Sequence, residues 1–583
     1  MTNYLLDLLR DAGRRFVPFL DWIGDLRNPE ILRADIFAGV TVALVLIPQS
    51  MANAQLAGLP PEVGLYSAFL IPIVAAIFGS SRQLQNGPVA IISLMSAAAL
   101  IPLGLSTEEY IAYAAMLALL AGGMQLILGF LRLGILVDFL SHPVIIGFIS
   151  AAAIVISSLQ LGKLFGIENI SGEHLYQTLW NLILAIPGQS HLPTVIMGMS
   201  SLLMLVLFKK FAPKKPGILI TVVVTTLLSW WLGYDQLGGK IVGNVPAGLP
   251  SFIIPGIHPE HFAALLLPAF MIAILSFVEA FSIAKAVAAK TRQRLSANQE
   301  MVGKGLANVV AGFSQGYAVS GSFSRTAVAF DAGAKTGFTA IVSGLLVGIT
   351  LLYLTPLLYY IPIATLAAVI IVAVVGMIHF EPFSHAWKVH PHDGLVALTV
   401  FIGTLFFAPH LEWGIFIGVG LSIGLYIART MRPHFAEVAM SEDGTLRDAK
   451  LFHLQTSETM ALFRYDGDLY FANASHLEKK LLNAIADKPK LKVIILDLEA
   501  VDQIDVTGEE MLKHMSEGLK LAGIQFCISR PKFNVMDMLK RSGLVDAIGE
   551  EHFFARRHDA LTMIKERYGD DVDIDHLLEH EPL

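Results

Sequence analysis

The chain has 583 residues, 54% of them hydrophobic and only 15% charged, a balance too apolar for a water-soluble protein of this length. Its formal charge of −7 argues against nucleic-acid binding, and the single cysteine, Cys527, excludes an internal disulfide framework and any cysteine-based metal cluster. Charge is also unevenly placed: residues 34–431 hold 17 Lys and Arg with 15 Asp and Glu, whereas the much shorter 432–583 holds 19 and 28.

Residues 1–33 lack the apolar core and small-residue cleavage site of a secretory signal, so insertion is expected to start from the first transmembrane helix. Arg10, Arg14, Arg15, Arg27 and Arg33 recur there among apolar residues at roughly helical spacing. The pattern predicts an amphipathic cytoplasmic segment on the membrane surface, or equally a solvated cap on the soluble part.

From 34 to 431 about fourteen apolar stretches follow, separated by short polar breaks. Most approach the ~20 residues a helix needs to cross the hydrocarbon. The third (88–103) and tenth (322–334) are short and open after Gly87 and Gly321, which makes them candidates for half-helices. Lys and Arg cluster in the even-numbered breaks (Arg82, Arg132, Lys209, Lys210, Lys290, Arg292, Arg294, Lys335, Lys388). The positive-inside rule then puts both termini in the cytoplasm of a multi-pass inner (plasma) membrane protein. Gly87 and Gly321 occupy matching places seven stretches apart, as do Gln49 in the first and Glu279 in the eighth. An odd spacing means that the second copy is inverted, and interrupted helices at matching places in inverted repeats point to a midplane substrate site.

Beyond Arg432 the pattern becomes α/β. A linker (432–447) is expected to precede a domain over 448–568, in which TMALFRY and DLYFAN flank an Asp466-Gly467 hairpin turn. The strand VIILDL, a DVTG turn into a helix, and the strand QFCIS follow. The acidic tail, 569–583, is expected to be mobile.

The segments PQSMANAQLAGLPPEVGLYSAF, FGSSRQLQNGPVAIISLM, EAFSIAKAVA and SFSRTAV with AGAKT resemble the signature segments of the SulP, or solute carrier 26, anion transporters. The DVTG-containing domain resembles their STAS domain. The resemblance covers nearly the whole chain. It implies a helical membrane core of about fourteen spans in a 7+7 inverted repeat with two half-helices, a cytoplasmic STAS domain, a homodimer in membrane lipid, and a small inorganic or organic anion as cargo.

The residues themselves point the same way. Arg325 near the start of the tenth stretch is costly in the membrane unless it faces a cavity or a partner, and an anion supplies the partner. Helix N-termini present unpaired N–H groups and positive dipole ends, so two converging half-helices suit a dianion. Gly87 and Gly321 allow close backbone approach there, with Ser322 and Ser324 as hydroxyl donors. The resemblance places Gln49, Val89, Ser324 and Arg325 at the anion site, and Asn53, Ala90 and Phe323 adjoin them in sequence. The family usually has an aromatic residue where this chain has Asn53, which suggests a more polar pocket; Phe323 is either replacement aromatic surface or packing. The competing reading of Arg325 is a structural ion pair with Glu279 or Asp331.

Glu279 interrupts the apolar run LLLPAFMIAILSFVEAFSIAKAV, where an ionised carboxylate is expensive, so it is the candidate for taking up and releasing a proton. Lys285, six positions on, is off its helical face. The next turn offers Ile283, with no oxygen for a sodium ion, and Ser282 is the nearest hydroxyl, which favours H+ over Na+ as the coupling ion; no other cofactor is expected. Ser276, Gln299 and Asn308 read as helix–helix glue rather than as lining of the path. His379, His385, His390 and His392 are too irregularly spaced for a metal site. In the DVTG turn Asp505 and Thr507 are both able to cap the following helix, and Val506 stands where anti-sigma antagonists have a phosphorylatable serine; capping is the expected task of Thr507, so the domain reads as a docking and regulatory module for a cytoplasmic protein.

The resulting expectation is a secondary transporter that imports an anion, sulfate first, by proton symport and alternating access. The rivals are a Na+-coupled bicarbonate importer, a C4-dicarboxylate carrier, an uncoupled exchanger or channel, and a membrane sensor. Walker motifs, a nucleophile elbow and metal-ligand clusters are missing from the sequence, so no enzyme is expected.

Overall fold

The computed structural model describes residues 17–134, 141–167, 175–212, 216–256, 259–408, 411–441 and 443–574. It divides into two compact units after Ser422. Among the described residues, eight helices are long and apolar enough to cross a membrane, and four shorter apolar helices accompany them.

The membrane unit opens with two 3-10 turns, Pro18–Asp21 and Ile23–Arg27. They are tied to it by Trp22, buried against Gly337, and by an Asp25–Arg82 ion pair of 2.9 Å. The amphipathic segment expected over 1–33 is therefore not one continuous helix where it is described, and Arg10, Arg14 and Arg15 lie outside the described residues. Helix α1 (Pro29–Leu56) starts where Asn28 Oδ1 accepts from Glu30 N, with Pro29 supplying a preset φ. Then come α2 (Pro61–Phe78), the two-residue strand β1 (Asn86–Gly87), the short α3 (Ala90–Leu100), and α4 (Thr107–Phe130), which begins in a Ser106/Glu109 capping box. Helix α5 is His142–Phe165.

Residues 175–208, which count as a single apolar stretch, the sixth of the fourteen, are two helices, α6 (Leu175–Gln189) and α7 (Leu192–Phe211). The break is held by His191, whose backbone N–H donates to Phe165 O and whose ring contacts Thr194 and Leu237 O. At 15 residues α6 is too short to span; Leu182 is buried, and Tyr176, Trp180, Ile183 and Leu184 are exposed.

After α8 (Gly217–Leu232) the second half repeats the pattern: α9 (Pro259–Thr291), α10 (Ala297–Phe313), the strand β2 (Ser320–Gly321), and the short α11 (Phe323–Asp331). Helix α12 (Phe338–Ile349) runs on through a π turn, Thr350–Leu354, and a 3-10 turn at Pro356. Then come α13 (Ile363–Val375), the short α14 (Glu381–Val389) with no buried residue, α15 (Pro391–Phe407) and α16 (Glu412–Thr430), which crosses the division between the units. Strands β1 and β2 pair antiparallel, Asn86 opposite Gly321 and Gly87 opposite Ser320, so the half-helices that leave them run in opposing directions, as an inverted repeat requires.

The second unit is built on a six-stranded mixed sheet, β3 (His434–Met440), β4 (Leu446–Asp448), β5 (Met460–Asp466), β6 (Val493–Asp497), β7 (Gln525–Ser529) and β8 (Phe553–Phe554), in the order β4-β3-β5-β6-β7-β8. Pairs β3/β4 and β3/β5 are antiparallel and the rest parallel. The expected linker 432–447 thus supplies two strands. The Asp466-Gly467 hairpin is not formed: Leu469 N donates to Gln503 O and Asp505 N to Leu469 O, so the segment after Gly467 runs beside 502–505 and leaves β5 to β3. The helices are α17 (Ala474–Asp487), α18 (Val506–Leu521), α19 (Phe533–Arg541), α20 (Leu544–Ile548) and α21 (Arg557–Tyr568). The start of the expected mobile tail is ordered, since Val572 and Ile574 are buried against Val493, Ile495 and Ile564. The rest of the tail lies outside the described residues. Asp505 caps α18, accepting from Gly508 N at 2.8 Å and from Phe471 N at 2.8 Å. Of the two expected caps the aspartate does the capping, and Thr507 is exposed, because the aspartate two residues earlier already holds the free N–H.

Candidate functional site

The β1–β2 crossing sets the site. Backbone bonds lock the approach to α3 onto α11: Ser322 N donates to Gln85 O (2.9 Å) and Gln85 N donates to Thr326 Oγ1 (3.0 Å). A Cβ at Gly321 would fall 2.9 Å from Ala280 Cα, so only glycine lets β2 lie this close to α9. Gly87 has φ +151°, and a Cβ there would sit 3.2 Å from Arg325 Nη2.

Arg325 is 1% exposed and lies between the two half-helix starts. Its Nη1 donates to Pro88 O (2.9 Å) and, more loosely, to Gln49 Oε1 (3.4 Å). Nε and Nη2 have no hydrogen-bond partner, and neither Glu279 nor Asp331 pairs with it, so the structural ion-pair reading fails. A buried guanidinium with unused donors beside two helix starts has the charge and the donors that an anion requires. The starts differ: at α11 Ser322 Oγ accepts from Arg325 N (3.3 Å), while α3 follows Val89 with no side-chain cap, so its first N–H groups stay available.

Of the residues expected at the site, the structure brings together Gln49, Asn53, Gly87, Val89, Gly321, Ser322 and Arg325 in buried positions. Asn53 does not form an open polar wall; its Nδ2 donates to Pro88 O (3.0 Å), sharing that carbonyl with Arg325. Ala90 is half-buried. Phe323, 66% exposed, is not packing, and Ser324 beside it is exposed too, with its hydroxyl 3.3 Å from that of Ser322.

Glu279 on α9 lies within electrostatic reach of Arg325, and its Oε2 is buried without a partner. Ser320 beside it donates to Ser276 O (2.9 Å). Lys285 is exposed and sits over the Phe281 ring, away from Glu279. Tyr317, fully buried, joins its hydroxyl to Ser93 (2.8 Å) on α3. Ser276 and Asn308 are packing groups, as expected: Gln125 donates to Ser276 Oγ (2.7 Å) and Asn308 donates to Gln125 Oε1 (2.8 Å). Gln299 donates to Phe78 O (2.7 Å). The His390 and His392 rings lie 4.9 Å apart; no group of three or more potential metal ligands occurs among the described residues.

Sequence reasoning missed Lys304. It is 2% exposed on α10, with Nζ donating to Asn86 Oδ1 (3.0 Å), one residue from Gly87. A lone lysine in the apolar stretch EMVGKGLANVV is the same kind of anomaly that marked Glu279, and could have revealed it.

Comparison with known proteins identifies the architecture. The sulfate permease family profile matches residues 32–400 and the STAS domain profile residues 452–560. The chain is 36% identical over 93% of its length to chloroplastic sulfate transporter 4.1 of Arabidopsis thaliana, 82% of which is covered. It is 33% identical over 92% of its length to a probable sulfate transporter of Mycobacterium tuberculosis, 96% of which is covered. In fold it matches the murine Solute Carrier 26 family member A9 anion transporter in its inward-facing state, with a TM-score of 0.86 at 24% identity over 95% of this chain and 94% of that one. The transmembrane domain of the cyanobacterial bicarbonate transporter BicA matches at a TM-score of 0.57 and 23% identity, over 67% and 97% of the two chains. With a profile over well over half its residues and relatives above 30% identity along nearly its whole length, this chain belongs to the sulfate permease family of membrane anion transporters.

Proposed function

We propose that the protein imports sulfate by proton symport, with Arg325 and the α3 and α11 starts holding the anion and Glu279 carrying the proton. The carrying observation is the pair of unsatisfied buried groups, the Arg325 Nε and Nη2 donors and the Glu279 Oε2 acceptor, on adjacent helices around one backbone crossing. Sulfate is favoured because relatives at this identity bear sulfate-transporter names. Protonation of Glu279 removes a competitor for Arg325, so proton and anion bind with mutual assistance. Ile283, one turn beyond Glu279, is buried with Leu84 and Ala284 and offers no oxygen to sodium, which supports H+ as the coupling ion. Exposure of Phe323 and Ser324 beside the buried Arg325 supports a site open to one side at a time, as alternating access needs. The excess of Lys and Arg in the even-numbered breaks supports an inner-membrane protein with cytoplasmic termini. The STAS unit, with Val506 in place of a serine, serves as a docking element, and the working form is a homodimer.

The test is uptake of radiolabelled sulfate, bicarbonate and succinate into proteoliposomes holding the full chain, with imposed proton or sodium gradients. Sulfate accumulation that follows an inward proton gradient and ignores sodium is the expected result. A strict sodium requirement, or uptake of bicarbonate or succinate without sulfate, overturns it.

A further inference from the structure

Helix α10 carries Glu300, Lys304 and Asn308 at successive turns, and each grips a segment leading into a half-helix. Glu300 Oε2 accepts from Ser80 N (2.7 Å), Ser80 Oγ (2.9 Å) and Ser81 N (2.9 Å). Asn308 Oδ1 accepts from Val319 N (2.9 Å), and Lys304 Nζ donates to Asn86 Oδ1. The first two tasks suit the groups that perform them. Lys304 stands apart, because a neutral side chain could donate to an amide oxygen, whereas a buried ammonium in a membrane helix is costly unless its charge is used.

Its surroundings show where that charge acts. Asn86 faces Gly321 in the crossing, and Gly321 lies on Ala280, next to Glu279. Gly87, the next residue, backs onto Arg325 Nη2. The ammonium and the guanidinium therefore flank one dipeptide, the strand β1 that leads into α3. The charged groups acting on Lys304 are Glu279 of α9, Glu300 of α10 and Arg325 of α11, and the Glu300 carboxylate is already engaged by Ser80 and Ser81.

We propose that Lys304 is a specificity-determining residue: the second cation that matches the site to a doubly charged anion. The inference rests on the reading of Arg325 as anion site and Glu279 as proton carrier. With Glu279 protonated, Arg325 and Lys304 stand at the crossing with only the Glu300 carboxylate against them, and the positive charge that Lys304 adds attracts a dianion twice as strongly as a monoanion. At an effective dielectric constant of about 20, one unit charge about 10 Å away alters the binding of each anionic charge by on the order of tenfold, and a closer one by more.

The experiment measures dissociation constants for sulfate and nitrate on the purified full chain, as wild type, Lys304→Gln, Lys304→Arg and Asn86→Asp, each checked for monodispersity and melting temperature. Gln keeps a donor towards Asn86 and removes the charge; Asp sets a negative charge against Lys304 and guards against failure of the Gln variant to fold. The sulfate-over-nitrate preference should fall on the order of tenfold in both charge variants and persist in Lys304→Arg. An unchanged preference in either folded charge variant, with a wild type that favours sulfate, overturns the role of Lys304 alone. A wild type that binds nitrate as tightly as sulfate overturns the sulfate reading itself.

Discussion

Asn86 and Gly321, from opposite halves of the membrane unit, stand face to face in the two-residue ladder from which both half-helices depart. The spacing leaves no room at Gly321, where an added methyl group meets the backbone of Ala280 rather than a side chain that could swing aside. Gly321→Ala should therefore displace the start of α11 and with it Arg325, reducing anion affinity more than tenfold, a loss of about 1.4 kcal/mol or more. Equilibrium binding on the monodisperse variant checks this, and wild-type affinity would show that the ladder tolerates a side chain.

Arg325 offers the most direct assay of the site. Arg325→Ala removes the charge and the two unused donors while leaving Pro88 O to Asn53, so the protein should assemble and bind no anion. Lys at this position restores a charge without the planar fork and should recover only part of the affinity. Normal sulfate uptake by an assembled Arg325→Ala protein would remove the anion site from this crossing.

Coupling is tested at Glu279. Glu279→Gln imitates the protonated carboxyl, so anion binding should persist and become independent of pH, while accumulation driven by a proton gradient should vanish. The lost linkage corresponds to about 1–3 kcal/mol between proton and anion. Unaltered pH-driven accumulation in the variant rules out this carboxyl as the carrier.

The half-helices, Arg325 and Glu279 were legible in the sequence because each violates a membrane rule: a stretch too short to span, or a charge where hydrocarbon is expected. Lys304 violates the same rule, yet its use is invisible without Asn86, which only folding brings to it. Other features escaped because tertiary pairing decided them. DLYFAN has strand-like composition, but Asn473 Nδ2 donates to Asp468 O (2.8 Å) and Tyr470 N to Asn473 Oδ1 (3.0 Å), which fixes a turn instead. HFAEVAM alternates as a strand should, and was obscured by its position directly after a membrane helix. The division at His191 is held by a hydrogen bond to Phe165 that only folding supplies, although Pro187-Gly188 and Pro193 on either side of it are a local stop and start signal that the reading of one long stretch passed over.

Cys527 reports on the soluble unit. It is fully buried in β7 opposite Ile495, and burial pushes its thiol up to about 12. The thiol is held protonated at neutral and mildly alkaline pH, so the native chain should resist thiol reagents and expose one reactive equivalent when this unit unfolds. Rapid stoichiometric labelling of the native protein would show that β7 opens readily.

The clasp between the halves also orders events during synthesis. Asp35, buried near the start of α1, accepts from Lys335 N (2.7 Å), Thr336 N (3.1 Å), Thr336 Oγ1 (2.5 Å) and Thr339 Oγ1 (3.0 Å). Glu300 likewise completes Ser80 and Ser81, and β2 completes β1. A ribosome that has made only the first half has therefore delivered the carboxylate, the two backbone N–H groups and the strand before the partners that the finished fold gives them exist. The early helices must wait in a provisional arrangement, and a chain severed between α8 and α9 should assemble only when both pieces are made together.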